Sequence, residues 1–355
     1  MRAARYYGIE DVRVEEVPEP ECGRGQVKIA PAFVGICGTD LHEYIGGPTF
    51  APTKPHPLTN ESIPIIIGHE FSGVVTAVGS DVNDLSVGQN VVVCPTISCG
   101  SCPACKNGID NACPKQGFIG LSGGGGGLSE ALVAPRSKVL PLPDNVPLDI
   151  GALVEPLAVA WHAVSAAGDK VGPETTALVL GGGPIGLAVV QCLKAKNVKS
   201  VIVSEVAARR QQFAKDMGAD YVLNPTEIDV VTKSAEISGV DGPDFVFDAA
   251  GVPASLKTAC TAVRTRGTVV NIAIWEKETP FQPNMMVFRE VNYKGVLAYN
   301  LSDFEAVIEN IKKGAMKPEQ MITSKIKLED LVSQGYMPLI KEKDKHVKIL
   351  VDIKA

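Results

Sequence analysis

The stretch CGSCPACKNGIDNAC sets Cys99, Cys102, Cys105 and Cys113 at intervals of three, three and eight residues, in a chain with nine cysteines. Thiolates bind Zn²⁺ tetrahedrally, and the intervening Gly, Ser, Pro and Asn residues make the turns that wrap four sulfurs around one ion. Four protein ligands leave no open position for a substrate, so the cluster reads as a closed, structural site. An iron–sulfur cluster and unligated surface thiols are the other readings of this spacing.

A second signal is LVLGGGPIG, where Gly181, Gly183 and Gly186 form GxGxxG after an apolar run and at the mouth of a helical one. The first glycine permits a tight turn, the second lets the backbone approach a pyrophosphate, and the third allows close helix packing. Pro184 and Ile185 open that helix, whose N-terminus then faces the phosphates. Glu205 ends the next run, VSE, nineteen residues after Gly186. A carboxylate there accepts hydrogen bonds from an adenosine ribose and repels a 2′-phosphate, which favours NAD over NADP. Arg209 and Arg210 follow closely and would offset that repulsion. A merely tight turn and a solvated strand end are the plain alternatives.

A third constellation is dispersed. Cys37 in GICGTDLH, His69 in IIIGHEFSG and Glu155 in LVEPLAVAWHAV are metal-capable side chains among apolar or glycine neighbours. Singly, each has an ordinary reading: a packed thiol, a satisfied imidazole, a solvated carboxylate. Among the rest, Cys94, Cys192 and Cys260 read as core thiols, Asp248 in FDAAG as a structural strand end near the cofactor, and His162 as a packing residue on the helical face of Glu155.

The elements that must hold these groups divide into two lobes, as 355 residues suggest. Up to about residue 150, short alternating runs such as VRVEEV and QVKIAPAFVGI between Gly and Pro predict a β-rich lobe with long loops. From Thr175, apolar strands alternate with amphipathic helices (TTALVLG, PIGLAVVQCLKAKN, KSVIVSE, AARRQQFAKDMG, ADYVLN), the pattern of a parallel, doubly wound sheet. A helix, DFEAVIENIKKGAM, follows, and then a strand-like run, HVKILVDIK, whose alternation suits a return to the first lobe. GGGGG at Gly123 to Gly127 reads as a flexible turn. A net charge of −6 with scattered Lys and Arg argues against a nucleic-acid partner. The N-terminus carries charges where a signal peptide needs an apolar core, and the uncharged run Thr175 to Leu193 is broken by glycines and a proline. A cytoplasmic protein without membrane association is expected, and reduced surroundings there favour metal over disulfides.

In order along the chain, CGTDLH, GHEFSG, the four-cysteine lobe, EPLAVAWHAV, GGGPIG and FDAAG resemble the zinc-dependent medium-chain alcohol and polyol dehydrogenases over nearly the whole length. Within that family, GFIGLSGGGGGLSEALVAP followed by LPDNVPLDIGALVEPLAVAWHAV is most similar to the (R,R)-2,3-butanediol dehydrogenases of the fungal type. Sorbitol, xylitol and threonine dehydrogenases share most of these motifs.

The resemblance implies an α/β protein. A GroES-like β-rich catalytic domain would span 1–155 and 297–355, with its structural zinc lobe at 94–115, and a Rossmann NAD-binding domain would span 156–296, with the active site in the cleft. It implies two zinc ions, the catalytic one on Cys37, His69 and either Glu155 or Glu70. Zinc at a substrate hydroxyl lowers its pKa, Thr39 accepts the proton, His42 carries it to solvent, and hydride passes to NAD. A surface role for His42 and a turn role for Thr39 are the alternatives. The implied reaction interconverts a vicinal diol, best (R,R)-2,3-butanediol, with a hydroxyketone, acetoin, in a homo-oligomer. A longer polyol or threonine as substrate, and a non-catalytic scaffold on the same fold, are the competing readings.

Overall fold

The computed structural model describes residues 1–275 and 277–355. Contacts divide these residues into two units, one of Met1–Glu155, Asn300–Ile308 and Ile322–Ala355, the other of Pro156–Tyr299 and Glu309–Met321.

The first unit is built on strands. β1 (Arg2–Gly8) pairs antiparallel with β2 (Asp11–Glu16) and with the short β4 (Ile65–Ile66). The main sheet runs in the order β10 (Val139–Pro141), β6 (Asn90–Val93), β5 (Glu70–Val78), β3 (Gln26–Gly35), β18 (Lys348–Asp352), β17 (Ile322–Lys327), with β9 (Leu132–Pro135) also on β3. Val27, Ile29 and Val34 of β3, Phe71 and Val75 of β5, Val91 and Val93 of β6, and Ile349 and Val351 of β18 fill one buried core. The C-terminal run HVKILVDIK forms β18, whose Val351 pairs with Val34 of β3. Helix α1 (Gly38–Gly46) leaves β3 after only two residues, which fixes Cys37 at a strand–helix junction. β7 (Thr96–Ile97) and β8 (Gly117–Phe118) pair at the two ends of the cysteine-rich lobe, which also contains α2 (Pro103–Lys106). The short α3 (Leu148–Gly151) leads into α4 (Val154–Ala166), whose first turn carries Glu155.

One expectation of this region is corrected. Gly123 to Gly127 do not read as a flexible turn once packed. Gly123, Gly124 and Gly125 take φ of +94°, +75° and +80°, in the left-handed region that suits glycine. A Cβ on Gly126 would lie 2.5 Å from the Ile67 carbonyl oxygen, and the Gly127 N–H donates to the Gly68 carbonyl at 2.7 Å. Glycine is required here by packing and turn geometry.

The second unit holds six parallel strands in the order β13 (Tyr221–Leu223), β12 (Ser200–Ser204), β11 (Thr176–Leu180), β14 (Phe245–Asp248), β15 (Thr268–Asn271), β16 (Asn292–Gly295). β11 is buried at every residue, which explains its unbroken apolar composition. The crossovers are α5 (Pro184–Ala195), α6 (Ala208–Asp216), α7 (Val230–Ser238), α8 (Pro253–Ala262) and α9 (Asn284–Val287). Asp229 caps α7 by accepting from the Val231 N–H at 3.1 Å, and Gly239 ends it at φ +72°. After α10 (Leu301–Lys312), the segment to Met321 is tied to this unit by the Lys317 N–H, which donates to Gln191 Oε1 at 2.8 Å. Among the described residues no helix is long and apolar enough to cross a membrane.

Candidate active site

Cys37, His69 and Glu70 come together from β3–α1 and from the start of β5: the ligand atoms they offer lie within 4.8 Å of one another. His69 and Glu70 are buried and Cys37 is partly so. Asp40 organises two of them, because its Oδ2 accepts from the Cys37 N–H at 2.8 Å while its Oδ1 faces His69 Nδ1 at 3.6 Å. Those last two atoms are buried and make no hydrogen bond. Burial pulls the His69 pKa down, but the charges of Cys37 and Asp40 and the pull of Glu155 outweigh it and raise it well above the usual value. Burial pushes the Cys37 thiol up, and the Glu70 charge adds to this. An apolar interior crowded with a thiol, an imidazole and carboxylates calls for a cation. The donor set of sulfur, nitrogen and oxygen suits zinc.

Glu155 is buried and close enough to raise the pKa of both His69 and Lys348. Glu70 is engaged otherwise: Lys348 Nζ donates to its Oε1 at 2.8 Å and its Oε2 at 2.6 Å. Thr39 Oγ1 stands 3.6 Å from Cys37 Sγ. His42 lies one turn further along α1, on the face of Thr39, and is exposed.

In the lobe, Cys102 Sγ lies 3.4 Å and Cys99 Sγ 4.0 Å from Cys105 Sγ. Sulfurs about 2.3 Å from one zinc at tetrahedral angles are about 3.8 Å apart, so the spacing fits. Backbone N–H groups point at three of the sulfurs: Cys102 N to Cys99 at 3.4 Å, Cys105 N to Cys102 at 3.5 Å, Lys115 N to Cys113 at 3.4 Å. The Ser101 N–H and hydroxyl pull Cys99 down to about 5, whereas burial and the bond from Cys102 push Cys105 up to about 12. All four thiols ionise together only when a cation supplies the compensating charge. No cysteine is in a disulfide.

In the second unit Gly181 turns at φ +98°, and a Cβ on Gly186 would sit 1.9 Å from the Gly181 carbonyl oxygen. Gly183 caps α5, and Pro184 occupies its first turn with Ile185 beside it. Glu205 is buried. Its Oε2 accepts from the Gly182 N–H at 2.7 Å and its Oε1 from the Ala207 N–H at 2.9 Å. The two arginines part company: Arg209 stacks over Phe213 at 5.0 Å, whereas Arg210 Nη1 reaches to 3.9 Å from the space above Gly183. Asp248 accepts from Ala250 N at 3.0 Å, Gly251 N at 3.2 Å and Ser255 Oγ at 3.0 Å, a loop-holding role.

Sequence reasoning passed over Asp40 and Lys348. Asp40 sat in plain view in CGTD. Lys348 had no signal, because β18 buries both of its faces and its alternation marks neither.

Residues 23–144 match the alcohol dehydrogenase GroES-like domain and residues 184–313 the zinc-binding dehydrogenase domain. An (R,R)-butanediol dehydrogenase of Neisseria gonorrhoeae is 42% identical over 99% of both chains. The chain belongs to the zinc-binding dehydrogenase family. The crystal structure of 2R,3R-butanediol dehydrogenase from Bacillus subtilis is similar throughout, with a TM-score of 0.92, 42% identity and 99% of both chains covered. Two further dehydrogenase structures carry nucleotides: one from Sinorhizobium meliloti is bound to NADP (30% identity, TM-score 0.88) and one from Escherichia coli is complexed with NADH (29%, 0.88), each covering 99% of both chains. This zinc-binding dehydrogenase is therefore an enzyme, with a GroES-like unit for its metal-capable residues and a Rossmann-type unit for its glycine loop.

Proposed function

We propose that this dehydrogenase interconverts a vicinal diol and its hydroxyketone, (R,R)-2,3-butanediol and acetoin, using NAD and two zinc ions per chain. The observation that carries the reading is the meeting of Cys37, His69 and the buried carboxylates beside Thr39, in a chain with 42% identity to butanediol dehydrogenases along its full length. Cys37, His69 and one carboxylate, Glu155 or Glu70, would hold the catalytic zinc, and Cys99, Cys102, Cys105 and Cys113 the structural one. When bound, zinc makes a hydroxyl acidic and the nicotinamide accepts hydride.

The chain's own residues do the rest. Thr39 Oγ1 accepts the substrate proton as its own hydroxyl proton passes on, and His42, exposed one turn on, carries a proton out to solvent. Glu205 braces the glycine loop through Gly182 and sets a negative charge where a 2′-phosphate would otherwise fit. Assembly into a homo-oligomer is supported by the edge strand β16, exposed at all four residues, and by exposed Val287 and Phe288 beside it.

The test is kcat/KM for (R,R)-2,3-butanediol, sorbitol, xylitol and threonine with NAD and with NADP, alongside zinc content by mass spectrometry. Highest efficiency with the diol and NAD, at two zinc ions per chain, supports the reading. Preference for a long polyol, or a single zinc, overturns it.

A further inference from the structure

Between α1 and β4 the chain runs from Gly47 to Pro64 without helix or strand. Connections longer than about 15 residues with no structure of their own are uncommon and are usually functional. This one is held throughout. The Ile63 N–H donates to the Pro52 carbonyl at 2.9 Å, which closes Pro52–Ile63 into a compact Ω-loop. Inside it the His56 N–H donates to the Glu61 carbonyl and the Asn60 N–H to the His56 carbonyl, both at 2.8 Å.

The foot of the loop is tied to α1. Glu43, buried on that helix one turn beyond Thr39, accepts from the Thr49 N–H at 3.0 Å and from the N–H groups of Phe50 and Ala51. The tip is tied to the segment that leaves the four-cysteine lobe. His56 Nδ1 accepts from the Leu58 N–H at 3.3 Å, so Nε2 carries the proton and donates to the Gln116 carbonyl at 3.3 Å. Glycine at position 117 makes room for the ring, since a Cβ there would stand 2.7 Å from His56 Cε1. Thr59 Oγ1 donates to the Ser122 carbonyl at 2.7 Å, and Glu61 Oε1 accepts from the Gly124 N–H at 2.8 Å. Gln116 is itself bound to the lobe, because its N–H donates to the Cys113 carbonyl at 2.9 Å. One loop thus joins the cysteine lobe to the helix that carries Thr39 and His42.

We propose that Pro52–Ile63 is a strap through which order in the four-cysteine lobe steadies Glu43 and helix α1, with His56, Thr59 and Glu61 as its positioning residues. The lobe is the element with two states, ordered when its sulfurs hold an ion and open when they do not, so the strap rests on the structural-metal reading proposed above. The exit segment also meets Gly68 through main-chain bonds such as that from the Gly127 N–H, and side-chain substitutions in the strap leave those intact.

The test is amide hydrogen exchange by mass spectrometry on the full-length, zinc-loaded protein, read at the Thr49, Phe50 and Ala51 amides. Cys102→Ser/Cys105→Ser, which empties the lobe and lowers the zinc count by one, is expected to speed their exchange by about tenfold. Thr59→Val/Glu61→Ala, with both zinc ions in place, is expected to give a rise of the same size and to lower kcat by about tenfold. Combining the four substitutions adds nothing further, because both pairs cut one path. Glu61→Gln keeps the oxygen that takes the Gly124 N–H, and keeps the wild-type rates. Amides that stay at the wild-type rate in either folded double variant overturn the proposal, as do effects that add in the combined variant or a kcat that holds while the amides quicken. Should the cysteine variant fail to fold, Thr59→Val/Glu61→Ala decides: an unchanged foot overturns the strap, and a quickened one that Glu61→Gln spares supports it. A wild-type lobe without zinc overturns the metal reading instead, is recognised by a zinc count that Cys102→Ser/Cys105→Ser leaves unchanged, and leaves the strap to be decided by the Thr59 and Glu61 variants.

Discussion

Thr39 and Asp40 are adjacent on the first turn of α1 and serve different ends. Thr39 offers a hydroxyl beside Cys37, so Thr39→Val, which keeps the shape and loses the oxygen, is expected to lower kcat/KM for alcohol oxidation by about 10²- to 10⁴-fold. Thr39→Ser should retain most activity, and steady-state kinetics on the two variants separate proton transfer from packing. Asp40 touches no substrate in this scheme and acts through Cys37 and His69. Asp40→Asn is expected to weaken zinc retention by about 10- to 100-fold, read as faster zinc loss to a chelator, with the four-cysteine metal unaffected. At this scale, Cys37, His69 and Glu155 each had an ordinary reading taken singly, and only the resemblance of their motifs to a known family grouped them. Lys348 stayed hidden because its contact with Glu70 joins two strands distant in sequence, and that pairing is a property of the sheet.

Among elements, the β11–α5 turn was the most readable, since its constraint is local and steric. Gly186→Ala places a methyl against the Gly181 carbonyl, where no rotamer relieves it. The expected cost is roughly 1–3 kcal/mol by urea denaturation, together with weaker nucleotide binding by calorimetry. The loop from α7 to β14 makes a pH prediction. Asp241 accepts from the Thr265 hydroxyl at 2.7 Å and N–H at 2.9 Å and pairs with Arg289, which lowers its pKa from 3.8 to about 2. A carboxyl depressed in the folded state stabilises above its unfolded pKa, and that contribution disappears as pH falls from 3.8 through 2. Asp241→Asn should therefore flatten the acid limb of stability against pH in that window, with little change near neutrality because the side chain is half exposed and screened. The five-glycine run was misread for a related reason: composition reports flexibility in isolation, whereas the left-handed turns and the contact with Ile67 arise only once the strands have assembled.

For the molecule as a whole, the two units differ in what secures them. The parallel sheet of the second unit is covered by its own helices and encloses an apolar core around Leu178, Ile202 and Val246. The lobe from Cys99 to Cys113 has no comparable core: among its residues only Asn111 and Cys113 are buried, and α2 spans just four residues. Its order must come from the sulfurs and the N–H groups aimed at them, which hold their positions only while the thiolate charges are neutralised. Stripping metal from the lobe is thus expected to open Cys99 to Cys113 to protease while the glycine-loop unit stays resistant. Limited proteolysis of metal-loaded and chelator-treated enzyme, with cleavage sites identified by mass spectrometry, checks this. Cleavage spread evenly over both units, or an unchanged lobe, would mean that the thiols fold the loop without an ion.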